Sequence, residues 1–152
     1  MENYDVIVIG GGAAGMMAAG TAAKNGKRVI LLEKNPVLGK KLLITGKGRC
    51  NITNYCDVPQ LIENVPVNGK FLTNAFYGFS SYDTVAFFNE NSLETKVERG
   101  NRVFPTSDKA MDVVETLIKF IYKYKVNVLH SAAAEVMQFG KIFAIKLENN
   151  EA

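Results

Sequence analysis

The chain has 152 residues, of which 47% are hydrophobic and 22% charged, and its formal net charge is +3. This length suits one domain, and so small a net charge does not predict a nucleic-acid partner. No run reaches the ~18 apolar residues of a membrane helix, and the apolar stretch near the start follows Glu2 and Asp5 instead of a basic leader. We therefore expect a globular cytoplasmic protein with no membrane partner. Two cysteines, Cys50 and Cys56, are too few for a disulfide framework.

The rest of the chain is organised around its first 33 residues. Asp5 to Ile9 is a nearly continuous apolar run of the kind found in strands buried on both faces, and it leads into residues 10–15, which match G-x-G-x-x-G. The alanine-rich stretch 13–24 predicts a helix that ends at Asn25-Gly26. Residues 28–32, which are apolar after Arg28, predict a second buried strand that closes with Glu33. The order strand, glycine turn, helix, strand, acid predicts an α/β dinucleotide-binding fold.

Each residue type in this motif has a physical role. The first glycine permits the tight turn, the second lets the backbone approach a pyrophosphate, and the third lets the helix lie close to the strand. The helix amino terminus faces the phosphates, and the acid accepts hydrogen bonds from a ribose diol. A glycine turn without a ligand is the alternative interpretation. The predicted dinucleotide contacts here are Gly10, Gly12, Ala13, Ala14, Gly15 and Glu33.

Basic residues concentrate just downstream. Eight basic residues and a single acid lie between Lys24 and Arg49. Within this window Thr45 to Arg49 form a glycine-rich loop, whose backbone amides and arginine fork suit an anion. A solvated surface loop is the alternative. A phosphate-binding P-loop is excluded, because Gly46-Lys47 is followed by Gly48 and not by serine or threonine.

Two longer stretches resemble the signatures of a known family. Residues 39–54, G-K-K-L-L-I-T-G-K-G-R-C-N-I-T-N, and residues 102–110, R-V-F-P-T-S-D-K-A, resemble bacterial flavoproteins of the HI0933-like or BaiN-like family, also called aminoacetone-oxidase-family FAD-binding enzymes. The resemblance implies a Rossmann-type FAD-binding domain of the glutathione-reductase-like superfamily, a three-layer α/β fold with a parallel sheet and an added β-hairpin. It also implies that residues 1–152 are the N-terminal part of such a domain, because family members are considerably longer.

The resemblance further implies a set of cofactor contacts. Glu33 would bind the adenosine ribose of FAD, and the backbone of Val136 would touch the adenine. The remaining implied contacts are Lys34, Lys40, Lys41, Thr45, Gly46, Gly48, Arg49, Cys50 and Asn51.

Between the two signatures the chain is predicted to be mainly helical. Phe71, Leu72, Ala75 and Phe76 have helical spacing and are expected to pack in the core. Ser80 or Ser81 is expected to cap a helix that carries Val85 and Phe88. A small hairpin is expected around Gly100-Asn101.

The last third predicts one long helix and three strands. Apolar residues between Asp108 and Lys123 form a continuous helical stripe, and Thr106 or Ser107 can cap it. Residues 126–129 are expected as a strand parallel to the first two. Residues 134–139 and 142–147 predict a hairpin around Gly140-Lys141. His130 stands alone, with no metal or catalytic partner at ligand spacing, so no metal site is expected.

The function implied is an FAD-dependent oxidoreductase acting on a small organic substrate, with NAD(P)H a candidate reductant. No catalytic acid or base is identifiable from the sequence. One alternative is an enzyme like the flavin disulfide reductases that uses Cys50 and Cys56, although these have five residues between them where such pairs have four. Another alternative is a truncated nucleotide-binding module without catalysis.

Overall fold

The computed structural model describes residues 2–148. The chain divides into two compact units, residues 1–41 with 117–152, and residues 42–116. Each unit is described by itself.

The first unit is built on a parallel sheet of three strands. These are β1 (Val6–Ile9), β2 (Val29–Glu33) and β6 (Asn127–His130), in the order β1-β2-β6. Helix α1 (Ala13–Lys24) connects β1 to β2 and packs against both. The predicted first strand, helix and second strand are therefore confirmed, and the third strand lies parallel to β2, one residue later than expected.

Strand β1 differs from the expectation in its burial. It was predicted to be buried on both faces, but it is half-buried, and the Ile9 side chain is 54% exposed. The reason is its position, because β1 lies at the edge of the sheet and pairs with β2 alone in the described residues.

The backbone of β1 forms hydrogen bonds on the side that faces β2. The N–H of Val6 donates to the carbonyl of Arg28, and that of Gly10 to the carbonyl of Leu32. Since backbone groups alternate in direction along a strand, those of Ile7 and Ile9 point away from β2.

Helix α1 approaches its neighbours through small residues. Gly20 is buried, and a Cβ at this position would lie 2.2 Å from the ring of Phe120. Phe120 belongs to helix α5 (Ala110–Lys123) and is itself buried. The missing side chain at Gly20 therefore lets an aromatic ring pack directly against the helix backbone.

The predicted C-terminal hairpin is confirmed. Strands β7 (Ala133–Phe139) and β8 (Ile142–Leu147) pair antiparallel, and Gly140 turns between them with a φ of 62°. Several apolar side chains of this hairpin are exposed, among them those of Phe139, Ile142 and Phe143.

The second unit contains a small antiparallel sheet. Strands β4 (Thr95–Glu98) and β5 (Arg102–Pro105) form the predicted hairpin, with Gly100 and Asn101 left-handed at the turn. A two-residue strand, β3 (Thr53–Asn54), pairs with the other edge of β5. Sequence periodicity cannot reveal so short a strand.

Short helices connect β3 to β4. They are α2 (Val58–Glu63), a 3₁₀ turn (Gly69–Leu72), α3 (Thr73–Gly78) and α4 (Ser81–Glu90). Ser80 caps α4, because its hydroxyl accepts from the N–H of Asp83 while the Asp83 carboxylate accepts from the N–H of Ser80. The predicted cap is confirmed. Asp57 caps α2 with a single hydrogen bond, which its carboxylate accepts from the N–H of Gln60.

The prediction that Phe71, Leu72, Ala75 and Phe76 pack in the core is wrong. No residue of the 3₁₀ turn or of α3 is buried, and the Phe71 side chain is 88% exposed. Both segments are too short to form a continuous apolar face. The helical spacing of these four apolar residues therefore does not indicate that they are buried.

Helix α5 begins two residues later than predicted. Asp108 has a left-handed backbone with φ of 59°, so the helix starts only at Ala110. Its predicted apolar stripe is largely buried, including Val113, Leu117 and Ile121. Among residues 2–148, no helix has both the length and the apolarity needed to cross a bilayer.

Candidate functional site

The glycine turn after β1 has the geometry that its sequence predicts at two of the three glycines. Gly10 has a φ of +103°, a conformation that residues with a side chain rarely adopt. A Cβ at Gly15 would lie 1.8 Å from the carbonyl oxygen of Gly10, so only glycine allows α1 to approach the turn this closely. The first and third glycines thus make the turn and its packing possible.

Gly12 differs, because nothing in the protein requires a glycine there. Its φ is −80°, and no heavy atom lies within 4 Å of the position that a Cβ would occupy. Gly12 caps α1 without a side-chain hydrogen bond, and no acid lies in the first turn of the helix. The first amide groups of α1 have no partner within the helix, and open space lies in front of them because Gly12, Ala13 and Ala14 are exposed. A helix binds a phosphate in this arrangement.

Glu33 lies beside this turn at the carboxyl end of β2. Its Oε2 accepts a hydrogen bond of 2.7 Å from the N–H of Gly11, and its Oε1 accepts one of 2.8 Å from the N–H of Asn35. Burial by itself would raise the pKa of Glu33, but the hydrogen bonds from Asn35 and Gly11 outweigh it and lower this pKa below the usual value. Glu33 is therefore held as a carboxylate next to the glycine turn.

Three residues near Glu33 were not assigned to the site from the sequence, namely Gly11, Asn35 and His130. Gly11 donates to Glu33, and a Cβ there would lie 2.3 Å from the Leu38 side chain. The side-chain amide of Asn35 also donates to Glu33 Oε1, and His130 Nδ1 lies 2.7 Å from the carbonyl oxygen of Asn35. His130 and Glu33 are register partners in the parallel sheet. Only the register of the predicted parallel pairing, which the sequence does not give, could have indicated the position of His130.

The other predicted contacts in the first unit lie on its surface. Lys34, Lys40 and Lys41 are exposed, and the Lys40 ammonium lies 3.4 Å from the side-chain oxygen of Asn35. Val136 is 55% exposed and helps to line a surface cavity of about 360 Å³ beside β1 and β8. Contact of these residues with a cofactor stays a prediction.

The second unit holds the glycine-rich loop. Residues 42–48 form a 3₁₀ segment that is interrupted at Thr45, and Gly46, Lys47 and Gly48 then follow with φ of 55°, 58° and 84°. Thr45, Gly46 and Gly48 are exposed, as a ligand-binding loop requires. Asn51 instead donates its side-chain amide to the carbonyl of Thr53. For these residues too, cofactor contact stays a prediction.

Arg49, predicted to bind an anion, is paired within its own unit. Its guanidinium donates to the carboxylates of Glu98 and Asp108 and lies 4.2 Å from the centre of the Phe104 ring. The hydrogen bonds to Glu98 and Asp108 raise the pKa of Arg49 above its usual value. The charge of Arg49 is therefore compensated before any ligand arrives.

The two cysteines are free thiols in this structure. Burial raises the pKa of Cys50, whose side chain is almost inaccessible, and burial followed by the nearby charge of Asp57 raises that of Cys56. Reactive redox cysteines need a lowered pKa. The structure thus gives the disulfide-reductase alternative no support. Among the described residues no cluster of His, Cys, Asp and Glu is placed to hold a metal ion.

Taken with the parallel sheet, the open glycine turn and the adjacent carboxylate define a Rossmann-type dinucleotide-binding domain. The family model for the HI0933-like protein Rossmann domain matches residues 4–152, and the chain belongs to this family.

Known relatives agree with this assignment. The chain is 34% identical over 144 residues to a 3-dehydro-bile acid delta(4,6)-reductase of Clostridium scindens, a match that covers 93% of this chain and 34% of the relative. It is 31% identical over 141 residues to a ribosomal RNA dihydrouridine synthase of Escherichia coli, with the same coverage of 93% and 34%. The chain therefore spans about a third of the length of these curated relatives.

A solved structure shows the same fold. The open conformation of a flavocytochrome c3 fumarate reductase superposes with a TM-score of 0.66 at 24% identity, over 90% of this chain and 28% of that one. At this identity the likeness concerns the fold alone. The Rossmann fold predicted from the sequence is confirmed.

Proposed function

We propose that the chain is the cofactor-binding part of an FAD-dependent oxidoreductase. The observation that carries the proposal is the open space at Gly12 in front of the uncapped α1, with the Glu33 carboxylate fixed beside it. The amide groups of α1 would hold the pyrophosphate, and Glu33 would accept hydrogen bonds from the adenosine ribose. Bound FAD would supply the capacity to accept and deliver hydride, which no side chain of the chain has.

The choice of FAD over a nicotinamide dinucleotide rests on the family. A glycine turn followed by an acid serves both cofactors. The signature stretches 39–54 and 102–110 resemble those of FAD-binding flavoproteins, and the HI0933-like family model matches residues 4–152. NAD(P)H is then the reductant to test first.

The reaction we propose is the reduction of an activated carbon–carbon double bond in a small organic substrate. The names of the two curated relatives support this class, because one is a reductase of a bile acid and the other makes dihydrouridine, the reduced form of uridine. The second relative acts on ribosomal RNA. We favour a small molecule for this chain because its formal net charge of +3 is too small to predict a polyanionic partner.

We also propose that the dinucleotide-binding domain continues beyond the residues described. The relatives are about three times longer, and within residues 2–148 the outer edge of the apolar strand β1 pairs with no other strand, although proteins usually cover or protect such an edge. A further strand would satisfy the backbone groups of Ile7 and Ile9. In a longer form of the protein the amides of Ile7 and Ile9 should exchange more slowly with solvent than in the 152-residue chain, while Val6 and Val8 serve as protected references. Equal, fast exchange in both forms would contradict this proposal.

The test of the cofactor is an absorbance spectrum of the purified longer protein, with chromatography of the released cofactor. A flavin spectrum and released FAD would support the proposal. A colourless protein that binds NAD tightly and takes up no FAD on reconstitution would overturn it. Turnover assays with an unsaturated ketone and with ribosomal RNA would then separate the two substrate classes, and failure with both would favour a module without catalysis.

A further inference from the structure

The two signature stretches meet in the second unit. Phe104 of β5 is buried beneath the glycine loop, which we define as residues 45–50. A Cβ at Gly46 would lie 3.3 Å from the Phe104 ring, and the Arg49 guanidinium lies 4.2 Å above the same ring. Residues separated by more than fifty positions in the sequence thus form one local structure.

The glycine loop has a backbone that needs outside support. Gly46, Lys47, Gly48 and Cys50 all have left-handed φ values, and two of these four are not glycines. Left-handed residues with a side chain persist only where their surroundings hold them. Two internal hydrogen bonds close the loop, from the N–H of Arg49 to the carbonyl of Gly46 and from the N–H of Cys50 to the carbonyl of Thr45.

The support comes from an ion cluster that includes Asp108. The Asp108 Oδ1 accepts from both Nε and Nη2 of Arg49, the former at 2.8 Å, and its Oδ2 accepts from the Lys96 ammonium at 2.7 Å. Glu98 accepts a further hydrogen bond from Arg49 Nη2. Two cations face two carboxylates, so the cluster is neutral, and Asp108 occupies a left-handed position of its own with φ of 59°.

We propose that Asp108 is a positioning residue for the glycine loop. By fixing Arg49 over Phe104, Asp108 holds the left-handed turn in the shape that presents the exposed backbone of residues 45–48 to a ligand. The second signature stretch thereby acquires a role, because it supplies the ring beneath the loop and the carboxylate that anchors it. The ligand part of this inference rests on the proposed function, whereas the positioning itself does not.

The role is distinguishable from general stabilisation. Exposed ion pairs contribute little to global stability, so Asp108→Asn should shift the midpoint of urea unfolding only slightly. Its effect should instead be local. We expect the Cys50 amide, which closes the loop, to exchange with solvent at least about tenfold faster in Asp108→Asn, as expected of a local opening.

Matched variants separate geometry from charge. Arg49→Lys keeps the charge but loses the forked donor and the planar contact with Phe104, so it should loosen the loop as Asp108→Asn does. Glu94→Gln removes an exposed carboxylate just before β4 and should leave Cys50 exchange unchanged. In an Arg49→Ala background, Asp108→Asn should have little further effect on Cys50 exchange, since Arg49 is the partner of Asp108 that belongs to the loop, whereas Lys96 lies on β4.

The experiment is amide exchange on the apo 152-residue chain, followed by titration with FAD and with ADP. Faster Cys50 exchange together with a lower ratio of FAD to ADP affinity in Asp108→Asn would support both the inference and the proposed function. Faster exchange with an unchanged ratio would support positioning and overturn the proposed contact of the loop with FAD. Unchanged Cys50 exchange in both Asp108→Asn and Arg49→Lys would overturn the inference, whatever the titrations give.

Discussion

The Oε2 atom of Glu33 accepts a hydrogen bond of 2.7 Å from the main-chain N–H of Gly11. This bond ties the carboxyl end of β2 to the glycine turn that follows β1. The group expected to bind ribose and the turn expected to bind phosphates are therefore fixed to each other before a ligand arrives. Preorganisation of this kind lowers the entropy lost on binding.

Gly12→Val should abolish dinucleotide binding and leave the fold intact. The φ of −80° at Gly12 suits any residue, and the space around it is empty of protein atoms, so the variant is not strained. The new side chain would fill the space proposed for the pyrophosphate. The measurement is ADP titration by calorimetry together with urea unfolding, and Gly78→Val is the control because Gly78 is equally open. Normal ADP binding by folded Gly12→Val would show that the motif is only a structural turn.

Glu33→Gln should weaken ADP binding by about 1–3 kcal/mol, the range for a charge-assisted hydrogen bond. The amide keeps the shape of the carboxylate but loses its charge and part of its accepting capacity. FAD binding to the same chain should weaken equally, because the ribose is common to both ligands. Glu148→Gln, on the exposed end of the same unit, is the control. Unchanged ADP affinity in Glu33→Gln would show that Glu33 does not bind the ribose.

Glu33 should also make stability depend on pH at the acidic end. Its pKa is lowered in the folded chain, where burial acts against the stronger effect of hydrogen bonds from Asn35 and Gly11. Its contribution to the free energy of unfolding should be complete above the ordinary glutamate pKa of about 4.3 and be lost as the pH falls through the lowered value. Glu33→Gln should lack this component, so urea unfolding of the two proteins should differ in slope against pH only in that acidic window. Identical slopes would contradict the account of Glu33.

Gly20→Ala should destabilise the chain although alanine favours helices. The added methyl would meet the Phe120 ring at 2.2 Å, and overpacking of this kind costs about 1–3 kcal/mol. The middle of that range exceeds the gain of about 1 kcal/mol in helix propensity. Urea unfolding measures the difference, and the cost of Gly20→Ala should shrink in a Phe120→Leu background. A stabilising Gly20→Ala would mean that the ring moves away without loss.

The sequence predicted local structure where one short pattern determines it. The glycine turn, α1 and the Ser80 cap depend on contacts within a few residues, and all appear as predicted. Burial was harder to predict. Phe71 has helical spacing but is exposed, because spacing does not say whether another element covers the face.

The side-chain contacts between distant residues could not be predicted, although the parallel pairing of the third strand was. The approach of His130 to Asn35 follows from strand pairing, and the anchoring of Arg49 by Asp108 joins loops 59 positions apart. Arg49 looked like a donor for a ligand because its carboxylate partners are remote in sequence. A basic residue in a glycine-rich loop therefore cannot be assigned to a ligand until its internal partners are known.

We expect Gly10 to Gly15 and Glu33 to bind the adenosine diphosphate half of FAD. Calorimetry of the 152-residue chain with ADP, FMN and FAD is the measurement that decides this. We predict that ADP retains much of the affinity shown by FAD and that FMN binds far more weakly, because the glycine turn and Glu33 recognise the pyrophosphate and the adenosine ribose. Binding of FMN as tight as that of FAD, with no binding of ADP, would contradict this account.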